Sequence, residues 1–238
     1  MRVLRGRAAT IEADREVSDD LLSAAADGEP AVRVWTPHQQ VAFGRRDRRL
    51  EGYGDAAEFA RERGFPPVER AVGGRAVAYD GETTLAFVRA EPAADFRRGT
   101  TARYKRTTAA VERALRSLEA DLEVVAGEPE DSFCPGTHSL SVVGPNGRRR
   151  KIAGLAQRVT QDAAVVAGIV LVESHDSLKT VLEGVYDRLD VAFEPASVGA
   201  VTAGDASDPA VVRTALEDAL IGEGATDIAI DAIGEDGE

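Results

Sequence analysis

Sulfur is nearly absent from this sequence. Its 238 residues contain one cysteine, Cys134, so no internal disulfide can form. Histidine is almost as scarce: His38, His138 and His175 share no ligand spacing, and a metal site is not expected. No charged start followed by an apolar run of signal-peptide or membrane-span length occurs, so a soluble, cytoplasmic chain is expected, with no membrane partner. Positive charge is in deficit, with 29 Lys and Arg against 41 Asp and Glu and a formal charge of -12. Phosphate neutralisation needs a basic face larger than this chain offers, so no nucleic-acid partner is expected.

The scarcest cation is lysine, with 3 residues of that type. An excess of acidic residues with arginine as the default cation resembles the composition of salt-loving organisms, where ionic strength screens the repulsion between carboxylates. Against that background a retained lysine stands out. Lys151 follows Arg148, Arg149 and Arg150 directly, at the end of "GPNGRRRK".

The patterning reads as α+β, a mixed or antiparallel sheet packed with helices. Residues 14–26 carry Val17, Leu21, Leu22 and Ala25 at helical spacing. "AVRVWTP" and "QVAFGRRD" read as two short strands around a Pro-His turn, and "GDAAEFARERG" as a short helix. "VERAVGGRAVAYDGETTLAFVRA" reads as strand, glycine turn, strand, Asp-Gly turn and strand. Residues 100–120 form the longest amphipathic helix, with Tyr104, Thr108, Val111, Leu115 and Leu118 on one face. "SLSVVG", "RKIAGLAQRVT" and "DAAVVAGIVLVE" form a three-stranded meander around a "PNG" hairpin turn, the last strand buried on both faces. Residues 176–189 and 209–221 are helical, the latter with Asp208 as N-cap and Pro209 at its first position. "GEDGE" is expected to be a frayed tail. The expected organisation is one catalytic domain over 1–200, with 201–238 as a C-terminal helix and acidic tail packed on it or trailing it.

Two stretches have the residue types that chemistry needs. In "RAVGGRAVAYDGE", residues 70–82, Gly73 and Gly74 let the backbone approach a ligand and turn its N–H groups on an anion, while Arg70 and Arg75 can neutralise a carboxylate or phosphate. The same residues also fit a plain turn between strands. In "KIAGLAQR", residues 151–158, Gly154 and Ala156 recur at period two on the face opposite Lys151, leaving room for an extended ligand, with the ammonium reaching over it. An edge-strand lysine that guards against aggregation would look similar.

Together and in this order, the two stretches resemble the lipoate-protein ligase A and octanoyltransferase branch of the biotin/lipoate protein ligase superfamily. That resemblance implies the superfamily's catalytic-domain fold. It implies substrate contacts from Arg70, Gly73, Gly74, Arg75, Ala76, Tyr79, Asp80, Gly154, Ala156 and Gln157. "GGRAV" and the segment "DSFC" are most similar to the cysteine-dependent octanoyltransferases, which implies Cys134 as acyl-carrying nucleophile and Lys151 as its catalytic partner. Three positions depart from the pattern: Tyr79 and Ala167 stand where the family has histidines, and Pro135 where phenylalanine is usual.

The residue types suit that chemistry. A thiol exchanges with a thioester in a nearly balanced step, and the enzyme thioester can then acylate an amine without ATP. A nearby cation favours the ionised form of a thiol, and a lysine, unlike an arginine, can also move a proton. The implied donor is acyl carrier protein, and the implied acceptor is a lipoyl domain or the glycine-cleavage H protein, with no cofactor. Two alternatives stay open. One is an ATP-dependent lipoate ligase, using ATP and Mg, in which Lys151 and the glycine loop hold an acyl-adenylate. The other is a non-catalytic acyl-binding or partner-binding relative.

Overall fold

Polar caps and turn glycines fix the element boundaries in the computed structural model, which describes residues 1–70, 74–95, 98–118, 122–173, 176–201, 208–222 and 228–233. Strand β1 (Arg2–Arg5) leads into helix α1 (Ile11–Ala26), where Thr10 caps the first turn by accepting the Ala13 N–H. β2 (Ala31–Trp35), β3 (Gln40–Phe43), α2 (Tyr53–Glu62), β4 (Pro67–Glu69), β5 (Val77–Tyr79) and β6 (Thr84–Pro92) follow. Then come α3 (Thr100–Arg116), β7 (Val124–Ala126), β8 (Ser139–Val143), β9 (Arg149–Val159), β10 (Ala163–Leu171) and α4 (Asp176–Arg188). α5 (Pro209–Ile221) starts at an Asp208 side chain that accepts the Ala210 N–H, with Pro209 in the first turn, and β11 (Ala229–Ala232) ends the series.

The strands form two sheets. The larger has 8 strands in the order β11-β1-β2-β6-β10-β9-β8-β7, parallel between β11, β1 and β2 and antiparallel from β2 onward. The smaller has the order β4-β3-β5. α1 lies over β6 and β10, α3 packs against α5, α5 against β2, and α2 and α4 pack together, with α4 against β5. Three apolar clusters result: one under α1 around Leu22 and Trp35, one under α3 and α5 around Phe87, Leu115 and Leu216, and one at the small sheet around Phe43, Phe59 and Tyr186.

The meander β8-β9-β10 and its Asn-Gly turn form as expected, with Gly147 at φ 73. β2 and β3 form on either side of the Pro-His segment as expected, β2 in the large sheet and β3 in the small one. Three expectations need correction. β4 and β5 do not pair with each other as in a meander, since both flank β3, and residues 71–73 of the expected glycine turn lie outside the described residues. Helix α3 buries Arg103, Thr107, Ala110, Val111, Ala114 and Leu115, a face rotated from the expected one, because α5 covers it as well as the sheet. β10 is not sealed on both sides, because Val165, Ala167, Gly168 and Ile169 line a cavity. β11 was not expected, and its four exposed residues offer little hydrophobic signal. The tail "GEDGE" lies outside the described residues. Among the described residues, no helix is long and apolar enough to cross a membrane.

Asp80 closes the turn from β5 to β6. Its carboxylate accepts the N–H groups of Glu82, Thr83 and Thr84 and the Thr83 hydroxyl. Burial alone would raise its pKa, but these hydrogen bonds outweigh it and leave the carboxylate below its ordinary range. A depressed folded-state pKa supplies stability above the ordinary aspartate range, lost as pH falls through the folded value. Asp80→Asn is therefore expected to lower the melting temperature at pH 7, with the gap from the native chain closing below about pH 4 as the native carboxylate is protonated. Thermal melts of both proteins across that range check this.

Candidate active site

Cys134 lies in the connection from β7 to β8 with φ 42, a left-handed backbone that costs a residue with a Cβ about 1–2 kcal/mol. Both of its peptide groups that face inward are tied. Its N–H donates to the Tyr186 hydroxyl at 2.6 Å, and its carbonyl accepts from Lys151 Nζ at 2.8 Å. The half-buried sulfur faces the glycine loop, where the Arg75 N–H points at Sγ from 3.4 Å and Arg70 Nη2 lies 3.7 Å away. Gly74, at φ 101, makes that approach possible, because a Cβ there would stand 2.8 Å from Sγ.

Lys151 is fully buried, and its ammonium is committed. It donates to Glu128 at 2.6 Å, to the Phe133 carbonyl at 2.9 Å and to the Cys134 carbonyl. With Lys151 at odd and Gly154 at even position, a regular strand would place them on opposite faces, as the sequence pattern implied. A bulge corrects this: Ser141 pairs with Lys151 while Leu140 pairs with Ala153, so Ile152 has no partner residue across the ladder. The extra residue re-aims the lysine, which lines the same cavity as Gly154.

That cavity, about 570 Å³, runs between α1 and the large sheet with Cys134 in its wall. Its floor follows the strand register: Ala86, Ile169 and Gly154 in one row, Val88, Ala167 and Ala156 in the next. Small side chains on β9 leave the space that α1 roofs with Ile11, Ser18 and Leu22. Arg15, Asp19 and Arg158 give one part of the lining a polar character, and Arg158 pairs with Asp19 at 2.9 Å.

The residues singled out from sequence fall into two groups. Arg70, Gly74, Tyr79, Cys134, Lys151, Gly154, Ala156 and Gln157 line the cavity. Arg75, Ala76 and Asp80 do not line it: the Arg75 guanidinium pairs with Asp47, the Ala76 carbonyl accepts from the Tyr186 hydroxyl, and Asp80 closes its turn. Gly73 and His175 lie outside the described residues. Arg70 is desolvated, which opposes its charge, but Tyr79 and Cys134 beside it outweigh this and hold its pKa above the ordinary arginine value. His138 also lines the cavity, its ring stacked on Tyr104 at 3.8 Å and its pKa lowered by burial. The Gln157 amide is buried, and neither its N nor its O has a hydrogen-bond partner among the described residues.

Sequence reasoning passed over three residues. Asp47, fully buried, accepts the Gly44 N–H at 2.9 Å and holds the Arg75 side chain, and burial raises its pKa despite those partners. Its one visible signal is a lone acid among four arginines in "RRDRR". Tyr186 reaches in from α4, and Glu128 from the loop after β7, with nothing local to mark either. Burial of Tyr186, with Cys134 next in effect, drives its pKa well above the ordinary tyrosine value, so the hydroxyl keeps the proton that it donates to Ala76.

A family model described as the lipoyl protein ligase A/B catalytic domain matches residues 13–201. An octanoyl-GcvH:protein N-octanoyltransferase of Exiguobacterium sibiricum is 32% identical over 168 residues, which cover 70% of this chain and 58% of that protein. One of the same name from Bacillus velezensis is 33% identical over 147 residues, 60% of this chain and 47% of that one. A lipoyl-GcvH:protein N-lipoyltransferase of Listeria monocytogenes is 30% identical over 137 residues, 53% of this chain and 43% of that one. The chain thus spans about half the length of the curated relatives it matches. Among solved structures, a putative lipoate protein ligase of Thermoplasma acidophilum with bound lipoic acid superposes with a TM-score of 0.70 at 20% identity, covering 98% of this chain and 89% of that one. A lipoate-protein ligase A bound with ATP gives a TM-score of 0.71 at 19% identity with the same coverage. These likenesses establish the fold.

Removing the Tyr186 hydroxyl strands the Cys134 N–H and the Ala76 carbonyl at once. Tyr186→Phe is expected to cost about 1–3 kcal/mol of stability in urea unfolding, the penalty for unmatched buried polar groups.

Proposed function

Because the chain belongs to the lipoyl protein ligase A/B catalytic family, we propose that it is a protein acyltransferase of lipoate metabolism that carries an octanoyl-type acyl group as a thioester on Cys134. The observation that supports this best is the sulfur itself, set in the wall of a largely apolar cavity with a backbone N–H and a guanidinium facing it.

In the first half-reaction, Sγ attacks the donor's acyl carbonyl, the bond to the donor's leaving atom breaks, and that atom departs with a proton. In the second, an acceptor lysine amine attacks the Cys134 thioester, forming an amide and restoring the thiol. Acyl carrier protein would supply a thioester donor, for which the first exchange is close to balanced. The relatives' names describe transfer from octanoyl-GcvH to a protein, so the H protein, expected from sequence as an acceptor, enters the proposal as a donor too. With an amide on both sides the whole cycle is balanced. A lipoyl domain is the acceptor in either case.

The cavity suits the acyl chain. Each methylene buried contributes about 0.8 kcal/mol, so an eight-carbon chain gains several kcal/mol over a two-carbon one. The small side chains of the two floor rows, Gly154 and Ala86 in one and Ala156 and Ala167 in the next, mark where that chain would lie. An ATP-dependent ligase would need the Lys151 ammonium on an adenylate, which means giving up Glu128 and two carbonyls. Thioester transfer uses the site as it stands.

Incubation with octanoyl-acyl carrier protein, without ATP, is expected to add one octanoyl mass to the intact chain, labile to hydroxylamine and absent in Cys134→Ala. Lipoylation of a lipoyl domain that requires ATP and survives Cys134→Ala would replace this reading with the ligase. Acylation under neither condition would point to a non-catalytic acyl-binding or partner-binding relative. Ala156→Leu, which fills the floor, is expected to cut octanoyl transfer at least about tenfold while sparing a butyryl thioester, since overpacking penalises the longer chain.

A further inference from the structure

We infer that Glu128 is the positioning residue that sets the geometry of Cys134, acting through Lys151 and the backbone on the far side of the thiol. The inference rests on the acyltransferase reading for its substrate, but not for its account of the sulfur.

Glu128 touches the cysteine segment from both directions. Its Oε2 accepts from Lys151 Nζ at 2.6 Å and from the Ser139 hydroxyl at 2.7 Å, while Oε1 accepts the Gly136 N–H at 2.6 Å. Upstream of the sulfur, the same ammonium holds the Phe133 and Cys134 carbonyls. Downstream, the carboxylate holds residue 136 itself. One side chain therefore spans the peptides on either side of a cysteine whose left-handed backbone does not keep itself in place.

Charge makes the arrangement interdependent. Lys151 is buried, and Glu128 is its one carboxylate partner among the described residues. Without that partner the ammonium keeps two carbonyls and no counter-charge, a costly state in the interior. The lysine would then move toward water, release the Cys134 carbonyl, and let the sulfur leave the Arg75 N–H. Lys151 accordingly acts on the loop that carries the nucleophile, with no donor free for a substrate carbonyl in this arrangement.

The test uses two readouts on the full chain: alkylation of Cys134 by iodoacetamide at pH 7, and transfer from a small octanoyl thioester. Glu128→Gln removes the charge opposite the ammonium and replaces one acceptor oxygen with a donor, which faces either Lys151 and Ser139 or the Gly136 N–H. It is expected to slow alkylation about tenfold and to lower kcat about 100-fold, the scale of an ångström's misplacement. KM should stay within about threefold. Glu128→Asp keeps the charge but is one methylene too short to span both sides, and should show the same losses in weaker form. Lys151→Met should lose most of what Glu128→Gln loses, and the double variant should be slower than Lys151→Met alone by much less than the Glu128→Gln factor, because the Lys151 path is shared and only the Gly136 and Ser139 contacts are separate. Alkylation and kcat at native values in Glu128→Gln, a change in KM instead of kcat, or multiplying defects in the double variant would each overturn the inference. If the native chain shows no acyl transfer, the acyltransferase reading fails while the alkylation rates still decide the role of Glu128.

Discussion

The backbone of Cys134 is gripped on both sides, by a tyrosine hydroxyl on its N–H and a lysine ammonium on its carbonyl. Each grip comes from a different place. Tyr186 stands on the helix behind the small sheet, and Lys151 on the third strand from one edge of the large one. A left-handed cysteine is unfavourable by itself, so the position of the sulfur follows from packing rather than from local preference. The glycine loop then needs only to stay out of the way, which Gly74 does by lacking a side chain, and to present one N–H.

This division explains what could be read from the chain and what could not. Cys134, Lys151, Arg70 and Gly74 stand in short motifs whose order is visible, and they do converge on one cavity. The helices were legible because caps such as Asp208 and apolar spacing are local signals. Their partners were not legible. Tyr186 is 52 residues from Cys134 in sequence, and only the meeting of two sheets brings them together. The bulge at Ile152 reversed a face assignment that strict alternation had made, because a one-residue irregularity leaves no mark in a hydrophobic pattern. The separation of β2 from β3, and of β4 from β5, shows the same limit: a turn motif predicts a change of direction, not which strand comes next to which.

The departures from the family pattern also take on physical meaning. Ala167 pairs with Ala156 across the ladder, so where relatives are expected to place a histidine this chain leaves a low apolar step in the cavity floor. Tyr79 is buried against Arg70, and burial, partly offset by that arginine, raises its pKa. Its ring thus lends bulk and a neutral hydroxyl where an imidazole would have brought a titrating charge. Both changes make the lining of the cavity less ionisable.

The thiol sits on a seam. Its backbone belongs to a loop of the large sheet, while the N–H that meets its sulfur belongs to the approach to the small one. A shear of one layer past the other by little more than an ångström would part the sulfur from that donor while the clusters around Trp35 and Leu115, neither of which includes a small-sheet residue, stayed intact. The reactivity of this sulfur is therefore a displacement gauge, registering the alignment of the two sheets more finely than the stability of either. Since the chain has no other thiol, the gauge reads without background.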